Sequence, residues 1–284
     1  MTTKIFSLIL ATCGRVQEVD RFLHSIGTQD FNLSKIEVII VDQNGNNGID
    51  IVPIIRKHQD KVDIRHIKSD RRGLSLSRNI GLRLAKGEFV AFPDDDCLYY
   101  PDTLFEAQSA FNLNPDMEVF LGRIVDRATR KNIIRDWKNS SLAITRQNFY
   151  LNFSSITLFS RKNSIRFEET LGLGTYYGSN EDADYILQVL EKGEKIQYTP
   201  AIEVWHPANP PIVDFQKVYS YGLGFGALCR KHQGLVIGLL FVKVIGYHSL
   251  LMLLSAVTLD MQQAKRRFMF VASRLHGLVS YKNG

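Results

Sequence analysis

The sequence predicts an α/β fold with a mostly parallel sheet flanked by helices, followed by a helical, basic, apolar tail. Three observations predict it. Short β-branched runs alternate with amphipathic segments of helix length through the first hundred residues, the pattern of consecutive βαβ units. Polar and acidic residues stand directly behind three of those runs, at Thr12–Arg15, Asp42 and Asp94–Asp96. Beyond Pro210-Pro211 acidic residues almost disappear: from Phe215 onward Asp260 stands alone against Lys217, Arg230, Lys231, Lys243, Lys265, Arg266, Arg267, Arg274 and Lys282.

The elements follow in order. Phe6–Ala11 reads as a buried strand ending in Thr12-Cys13-Gly14-Arg15, and Val16–Gly27 has helical spacing through Val19, Phe22, Leu23 and Ile26. Glu37–Val41 is a second strand, stopped by the turn-forming Asp42–Gly48. Ile49–His58 reads as helix, Val62–Ile67 as a third strand, Gly73–Leu84 as a helix closed by Gly87, and Glu88–Phe92 as a fourth strand running into Pro93-Asp94-Asp95-Asp96. Later come a strand-like Ser155–Ser160, a loop with Gly172, Gly174 and Gly178, a helix Glu181–Lys192, and strands at Lys195–Thr199 and Ala201–Trp205. The expected division is a catalytic domain over 1–213 and a helical region over 214–284. Ligands of open α/β sheets bind beyond the carboxyl ends of the strands, and the acidic residues collect at that edge.

Composition narrows the class. A 284-residue chain that is 45% hydrophobic can bury a sizeable core. Net charge of +6 suits several anionic partners without choosing among them. Cys13, Cys97 and Cys229 are an odd number without metal-ligand spacing, a pattern that fits a reducing compartment. The apolar run Ile5–Ala11 is too brief for the usual signal peptide and reads as the first strand. The basic residues lie beside an apolar run rather than interleaved with aromatics along a groove, so nucleic acid is not an expected partner.

Three consecutive aspartates after a buried strand repel one another unless something compensates. Carboxylates at alternate positions, Asp94 and Asp96, can aim at one hard cation, and Mn²⁺ or Mg²⁺ accepts such oxygen ligands while keeping positions open for phosphate. The plainer reading is a solvated turn. Ser179-Asn180-Glu181-Asp182 opens a helix and can be a simple N-terminal cap. His206, in Glu203-Val204-Trp205-His206-Pro207, can be a structural histidine or a ligand. Trp137, Trp205, Tyr176 and Tyr177 can stack on sugar faces or fill the core.

Gly73-Leu-Ser-Leu-Ser-Arg78-Asn79-Ile-Gly81, followed by Lys86-Gly87-Glu88-Phe-Val-Ala-Phe-Pro-Asp94-Asp-Asp96, resembles family 2 of the glycosyltransferases, enzymes of the GT-A fold. The resemblance runs from Phe6 to about Pro207. It implies an inverting transfer of sugar from a UDP- or other NDP-sugar, with Thr12, Arg15, Asp42, Arg78, Asp94 and Asp95 on the donor and Asp96, Asp94 and His206 on Mn²⁺ or Mg²⁺. It also implies Asp182 as general base, with Glu181 orienting the acceptor or the helix start. Two positions depart from the family pattern: Cys13 where Asn is frequent, and Gln188 where Arg is frequent.

The enzyme-class rival is a nucleotidyltransferase, for which Thr12–Arg15 is a poor triphosphate loop; the non-enzyme rival is a catalytically silent scaffold of the same fold. Leu235–Val257, as one helix, is about 34 Å long and could cross a bilayer, but Lys243 near its centre favours lying at the interface or packing as a helical hairpin on the catalytic domain. With Lys265-Arg266-Arg267 and Arg274 behind it, the tail suits peripheral contact with anionic lipid. The expected acceptor is therefore a glycan or lipid-linked glycan, and the expected location the inner face of the cell membrane. Oligomers are possible. The glycines of Tyr221–Gly226 lack dinucleotide spacing and suit close helix packing.

Overall fold

The computed structural model describes residues 3–45, 48–129, 131–208 and 214–282. Pro210-Pro211, where the composition changes, and the 213/214 division expected there lie outside or at the margin of the described residues. The chain forms two compact units: Met1–Arg72 with Leu76–Arg166 and Gln188–Asn209, and Gly73–Ser75 with Phe167–Leu187 and Pro210–Gly284.

In chain order the elements are β1 (Phe6–Thr12), α1 (Val16–Ile26), β2 (Ile36–Asp42), α2 (Val52–His58), β3 (Asp63–Lys68), α3 (Leu74–Leu84), β4 (Phe89–Ala91) and β5 (Leu98–Tyr99). They continue with α4 (Thr103–Leu113), β6 (Met117–Asp126), β7 (Lys131–Asn132), β8 (Leu142–Ile144), β9 (Leu158–Arg161), α5 (Glu181–Glu191) and β10 (Lys195–Trp205). Three helices close the chain: α6 (Phe215–Lys231), α7 (Leu235–Val257) and α8 (Met261–Ser280).

The first unit is built on one sheet in the order β3-β2-β1-β4-β9-β6-β10-β5, with β7 on β6 and β8 on β10. β3, β2, β1 and β4 are mutually parallel. β9 runs against both β4 and β6, which returns β6 to the direction of β1, and β10 is parallel to β6. Thr12, Asp42, Asp94 and His206 therefore leave the sheet at one edge, as the βαβ pattern predicted for the first three. β1 and β2 are buried on both faces, which explains their nearly unbroken apolar sequence. Glu37 tolerates full burial in β2 because its carboxylate accepts from Ser7 Oγ (2.5 Å) and Lys86 N (2.6 Å). Behind the sheet, Phe89 stacks on Phe111 at 4.2 Å.

Several boundaries differ from the sequence reading. The second helix starts at Val52 rather than Ile49, where Asp50 accepts from Val52 N (3.0 Å) and a proline stands in its first turn. Ser155–Thr157 is a 3₁₀ turn, and the strand begins at Leu158. The two short strands expected around Pro200 are one, β10, whose register against β6 shifts between Tyr198 and Glu203; the irregularity accommodates a proline that donates no ladder bond. Next to it, a Cβ on Gly122 of β6 would lie 2.3 Å from Ile202 O. Because a strand backbone gives way less easily than a side chain, Gly122→Ala should cost about 1–3 kcal/mol, read as a lower denaturation midpoint at unchanged slope.

In the second unit α6 and α8 pack through small residues: a Cβ on Gly277 would meet Leu223 O at 2.1 Å, and one on Gly226 would meet Arg274 O at 2.2 Å. The glycines of Tyr221–Gly226 thus serve close helix approach. Asp214 caps α6 by accepting from Gln216 N (2.9 Å), and Asp260 caps α8 through Gln263 N (3.0 Å). On α7 Ile237 is buried, whereas Leu235, Leu239, Val242, Leu250, Leu253 and Val257 are all more than half exposed.

Candidate active site

The site forms where β1, β2, β4 and β10 end. Thr12 is the last residue of β1, and Asp94 continues beside that strand through a parallel bridge to Ala11. His206 follows β10 directly. This placement brings ligand atoms of Asp94, Asp96 and His206 within 4.8 Å of one another, all three side chains half-buried. A strand end alone would not close the triangle; it needs β10, more than a hundred residues away in sequence, to return parallel to β6.

The three aspartates have separate environments. Asp94 Oδ1 accepts from Arg78 Nη2 at 3.1 Å, and the Arg78 side chain is almost wholly buried. Asp95 turns inward, accepting from Thr12 Oγ1 at 2.8 Å with Arg15 Nη1 3.3 Å away. Asp96 pairs with Arg15 and lies 3.3 Å from His206 Nε2. Burial pushes Asp95 up to about 6, against the pull of Thr12 and Arg15. Burial acts on Asp96 in the same sense, but hydrogen bonds from His206 and Arg15 outweigh it and hold Asp96 at about 2. For His206, burial disfavours the imidazolium; Asp96 and the Pro207 carbonyl more than offset that, and its pKa is raised.

These shifts predict separated titrations. As pH rises from about 4, the ordinary aspartate value, to about 6, ionising Asp95 removes stability, because the folded state holds the proton longer. Asp96 does the reverse: its contribution is complete above about 4 and is lost as pH falls toward about 2. Carboxyl ¹³C NMR of metal-free protein should resolve the two, and Thr12→Val should move Asp95 higher still.

Asp42 ends β2, accepting from Asn44 N (2.9 Å) and lying 2.9 Å from His66 Nε2. Glu181 and Asp182 open α5 in the second unit, after the glycine loop. Glu181 is buried near Gly172, while Asp182 is half-buried and its Oδ1 accepts from Ala183 N at 2.8 Å. Asn180, just before them, adopts a left-handed φ of 67°, which asparagine tolerates. Ser179 donates to Tyr221 O (2.8 Å). Of the aromatic candidates, Trp137 is core, stacked on Tyr198, whereas Tyr176 is exposed.

Sequence reasoning overlooked the supports. Asn44 Oδ1 accepts from Gly14 N (2.6 Å) and so ties the loop after β1 to that after β2. Glu203 of β10 accepts from Arg123 Nε (2.9 Å) and Arg127 Nε (2.6 Å), and Arg127 also reaches Asp102 (2.7 Å) and lies over the Tyr100 ring. A lone carboxylate in an apolar strand was the available signal for that network.

A family model for glycosyl transferase family 2 matches residues 7–171. The chain belongs to that family. This family 2 chain is 23% identical over 195 residues to the poly(ribitol-phosphate) beta-N-acetylglucosaminyltransferase TarP of Staphylococcus aureus, an alignment covering 66% of the chain and 58% of TarP. The chain therefore matches less than two thirds of that relative's length. Its fold resembles S. aureus TarS 1-349 in complex with UDP-GlcNAc (TM-score 0.63, 21% identity, 84% of this chain and 66% of that one). It also resembles the mannosyltransferase PcManGT of Pyrobaculum calidifontis in complex with GDP-Man and Mn²⁺ (TM-score 0.65, 15% identity, 99% and 89%). The family 2 chain has the GT-A architecture: a mixed, largely parallel sheet flanked by helices.

Proposed function

We propose that this family 2 protein transfers a sugar, with inversion, from a nucleoside-diphosphate sugar to a hydroxyl of a glycan or lipid-linked glycan. The observation that carries the reading is the convergence of Asp94, Asp96 and His206 at the carboxyl edge of the sheet. Two carboxylates and an imidazole fit Mn²⁺, and fit Mg²⁺ less well because of the nitrogen. When bound, the cation would neutralise charge developing on the departing diphosphate.

The protein's own side chains supply the rest. Asp96 would be the principal ligand, with Asp94 and His206 beside it, and Arg15 and Arg78, which pair with carboxylates, would exchange them for donor oxygens. Thr12 fixes Asp95, keeping that loop in register with β1. Asp42 is the proposed partner of the nucleoside. Asp182 is the proposed base, taking the proton from the acceptor hydroxyl as its oxygen attacks the anomeric carbon. One displacement with one base inverts that carbon. Glu181 would set the helix start or the acceptor.

Both solved relatives were captured with nucleotide sugars, one of them with Mn²⁺, which supports the donor class and the cation. The exposed apolar face of α7, one helix long and apolar enough to cross a membrane by length and composition, supports a peripheral membrane contact through 235–284 and an acceptor held there. The reading places the enzyme on the cytoplasmic side.

The test is a panel of nucleoside-diphosphate sugars incubated with protein, with and without Mn²⁺ or Mg²⁺, following release of the nucleoside diphosphate. One donor should respond to the metal, and Asp96→Ala should lower its turnover by roughly 10²–10³-fold. Absence of both release and metal-dependent nucleotide binding would overturn the reading in favour of a silent scaffold.

A further inference from the structure

The α7–α8 pair carries a group of cations for which the proposed transfer has no use. Arg266, Arg267 and Arg274 surround one aromatic ring: their Cζ atoms lie 5.7, 5.9 and 4.9 Å from the centroid of Phe270. His248 of α7 stacks on the same ring at 4.7 Å and 13°, and Arg267 Nη1 is 3.1 Å from its Nδ1. The aromatic face attracts each guanidinium by about 0.5–2 kcal/mol, but three like charges gathered there repel one another.

The tail is poor in acidic side chains. Its sole acidic residue from Phe215 onward is Asp260, and that carboxylate caps α8. Elsewhere in the same unit, Glu168 and Asp184 are engaged by Lys231 at 3.0 and 2.8 Å. Arg266 Nε is buried with no hydrogen-bond partner among the described residues. The field of the arginines is visible at His248: burial, then Arg274, Arg267 and Arg266, push its imidazole down to about 4. It therefore stays neutral at pH 7 and adds no fourth charge. The same two helices expose Leu250, Leu253, Leu254, Phe268 and Leu275.

We propose that Arg266, Arg267 and Arg274, with His248, bind the phosphate of a membrane lipid headgroup while the exposed apolar residues of α7 enter the bilayer surface. A guanidinium presents paired N–H donors that match phosphate oxygens bidentately, and three of them suit a phosphomonoester carrying nearly two negative charges. The exposed apolar residues of the same two helices select a lipid over a soluble phosphate, because burying them requires a hydrocarbon phase. This inference rests on the membrane reading of the tail and is independent of the sugar-transfer chemistry.

The experiment is vesicle co-sedimentation of the full chain, without donor, on phosphatidylcholine vesicles doped with phosphatidic acid or, at matched surface charge, phosphatidylserine. Binding should favour phosphatidic acid. The double variant R266Q/R267Q should weaken it by roughly tenfold or more, the size expected for lost charge-assisted hydrogen bonds. K217Q/K282Q, which removes the same charge elsewhere in the unit, should weaken it far less. R266K/R267K keeps the charge without the planar fork and should restore only part of the affinity; circular dichroism establishes that each variant is folded, and R266Q alone replaces any that is not.

Equal losses in the two glutamine pairs, or no preference between the two anionic lipids, would reduce the cluster to diffuse basic attraction and overturn the proposal. Displacement of bound protein by inorganic phosphate would assign the site to a soluble anion instead. Because no donor is present, failure here leaves the glycosyl-transfer reading untouched, and a failed donor panel would leave the vesicle result standing.

Discussion

Asp182→Asn should lower the rate of sugar transfer by roughly 10²–10⁴-fold, the usual worth of a positioned general base, while donor affinity and folded stability change little. Asparagine keeps the shape of the side chain and an oxygen able to accept from Ala183 N, the 2.8 Å bond that Asp182 makes to its neighbour. What it loses is the capacity to take a proton. In the proposed role the defect would lie in the acceptor half of the reaction, so metal-dependent binding of nucleotide should survive, and calorimetry can check that in the same preparation. That combination separates Asp182 from Asp96, whose replacement should damage metal-dependent binding and turnover together. Transfer within about threefold of the unaltered protein would remove Asp182 from the role of base and leave it as the helix-capping residue that its position in the first turn of α5 also allows.

Two residues further along α5, Asp184→Ala should destabilise the protein by about 3–5 kcal/mol, the cost of breaking a buried charge pair from one side. Asp184 has no solvent exposure; it lies 2.7 Å from His232 Nε2 and 2.8 Å from Lys231 Nζ, and Lys231 also reaches Glu168. Removing the carboxylate takes one partner from a buried imidazole and leaves the half-buried ammonium with Glu168 as its remaining ion-pair partner. By contrast, the exposed Arg146–Glu191 pair, 3.1 Å apart, should be worth at most about 1 kcal/mol. Chemical denaturation of Asp184→Ala and of Arg146→Ala reads the difference directly.

The pH dependence of the buried pair has a definite sign. Burial works against the Asp184 anion, but His232 and Lys231 more than compensate, so its pKa is lowered on folding. Its stabilisation is complete above the ordinary aspartate value of about 4 and is lost as pH falls below it. The Lys231 pKa moves up: burial opposes its charge, and Asp184 and Glu168 prevail. Its contribution is complete below the ordinary lysine value of about 10.4 and fades as pH rises past it. The pair should therefore give a stability plateau across neutral pH, and Asp184→Ala should flatten its acid shoulder.

Much of this was legible in the sequence, for local reasons. A strand buried on both faces must be apolar throughout, so β1 and β2 announce themselves as runs. An amphipathic helix must repeat at 3.6 residues, so α1 shows Val19, Phe22, Leu23 and Ile26 on one side, and those, with Ser25, are its buried residues. Parallel connection then fixes which ends of β1, β2 and β4 share an edge, and with them Thr12, Asp42 and Asp94. The long apolar run of α7 and the basic excess behind it needed no structure at all. What pattern alone left open at Asp94–Asp96, a solvated turn or a metal site, a resemblance of ordered motifs could narrow but no spacing could decide.

Tertiary structure decided which distant side chains meet. β10 lies far from β4 in sequence, and only its parallel return beside β6 carries His206 to within 3.3 Å of Asp96. The division of labour among three adjacent aspartates is likewise invisible in the string DDD: Thr12 and Arg78, from other elements, give Asp95 and Asp94 different partners, while Arg15 and His206 hold Asp96. In the tail, Arg266, Arg267 and Arg274 already share one face of α8 with Phe270 by their spacing of three and four residues, but only the packing of α8 on α7 brings His248 onto that ring. The physical reason is common to all three cases. Periodicity and propensity are fixed by neighbours along the chain, whereas a site is fixed by which distant side chains share a desolvated volume, and that is settled only when the elements pack.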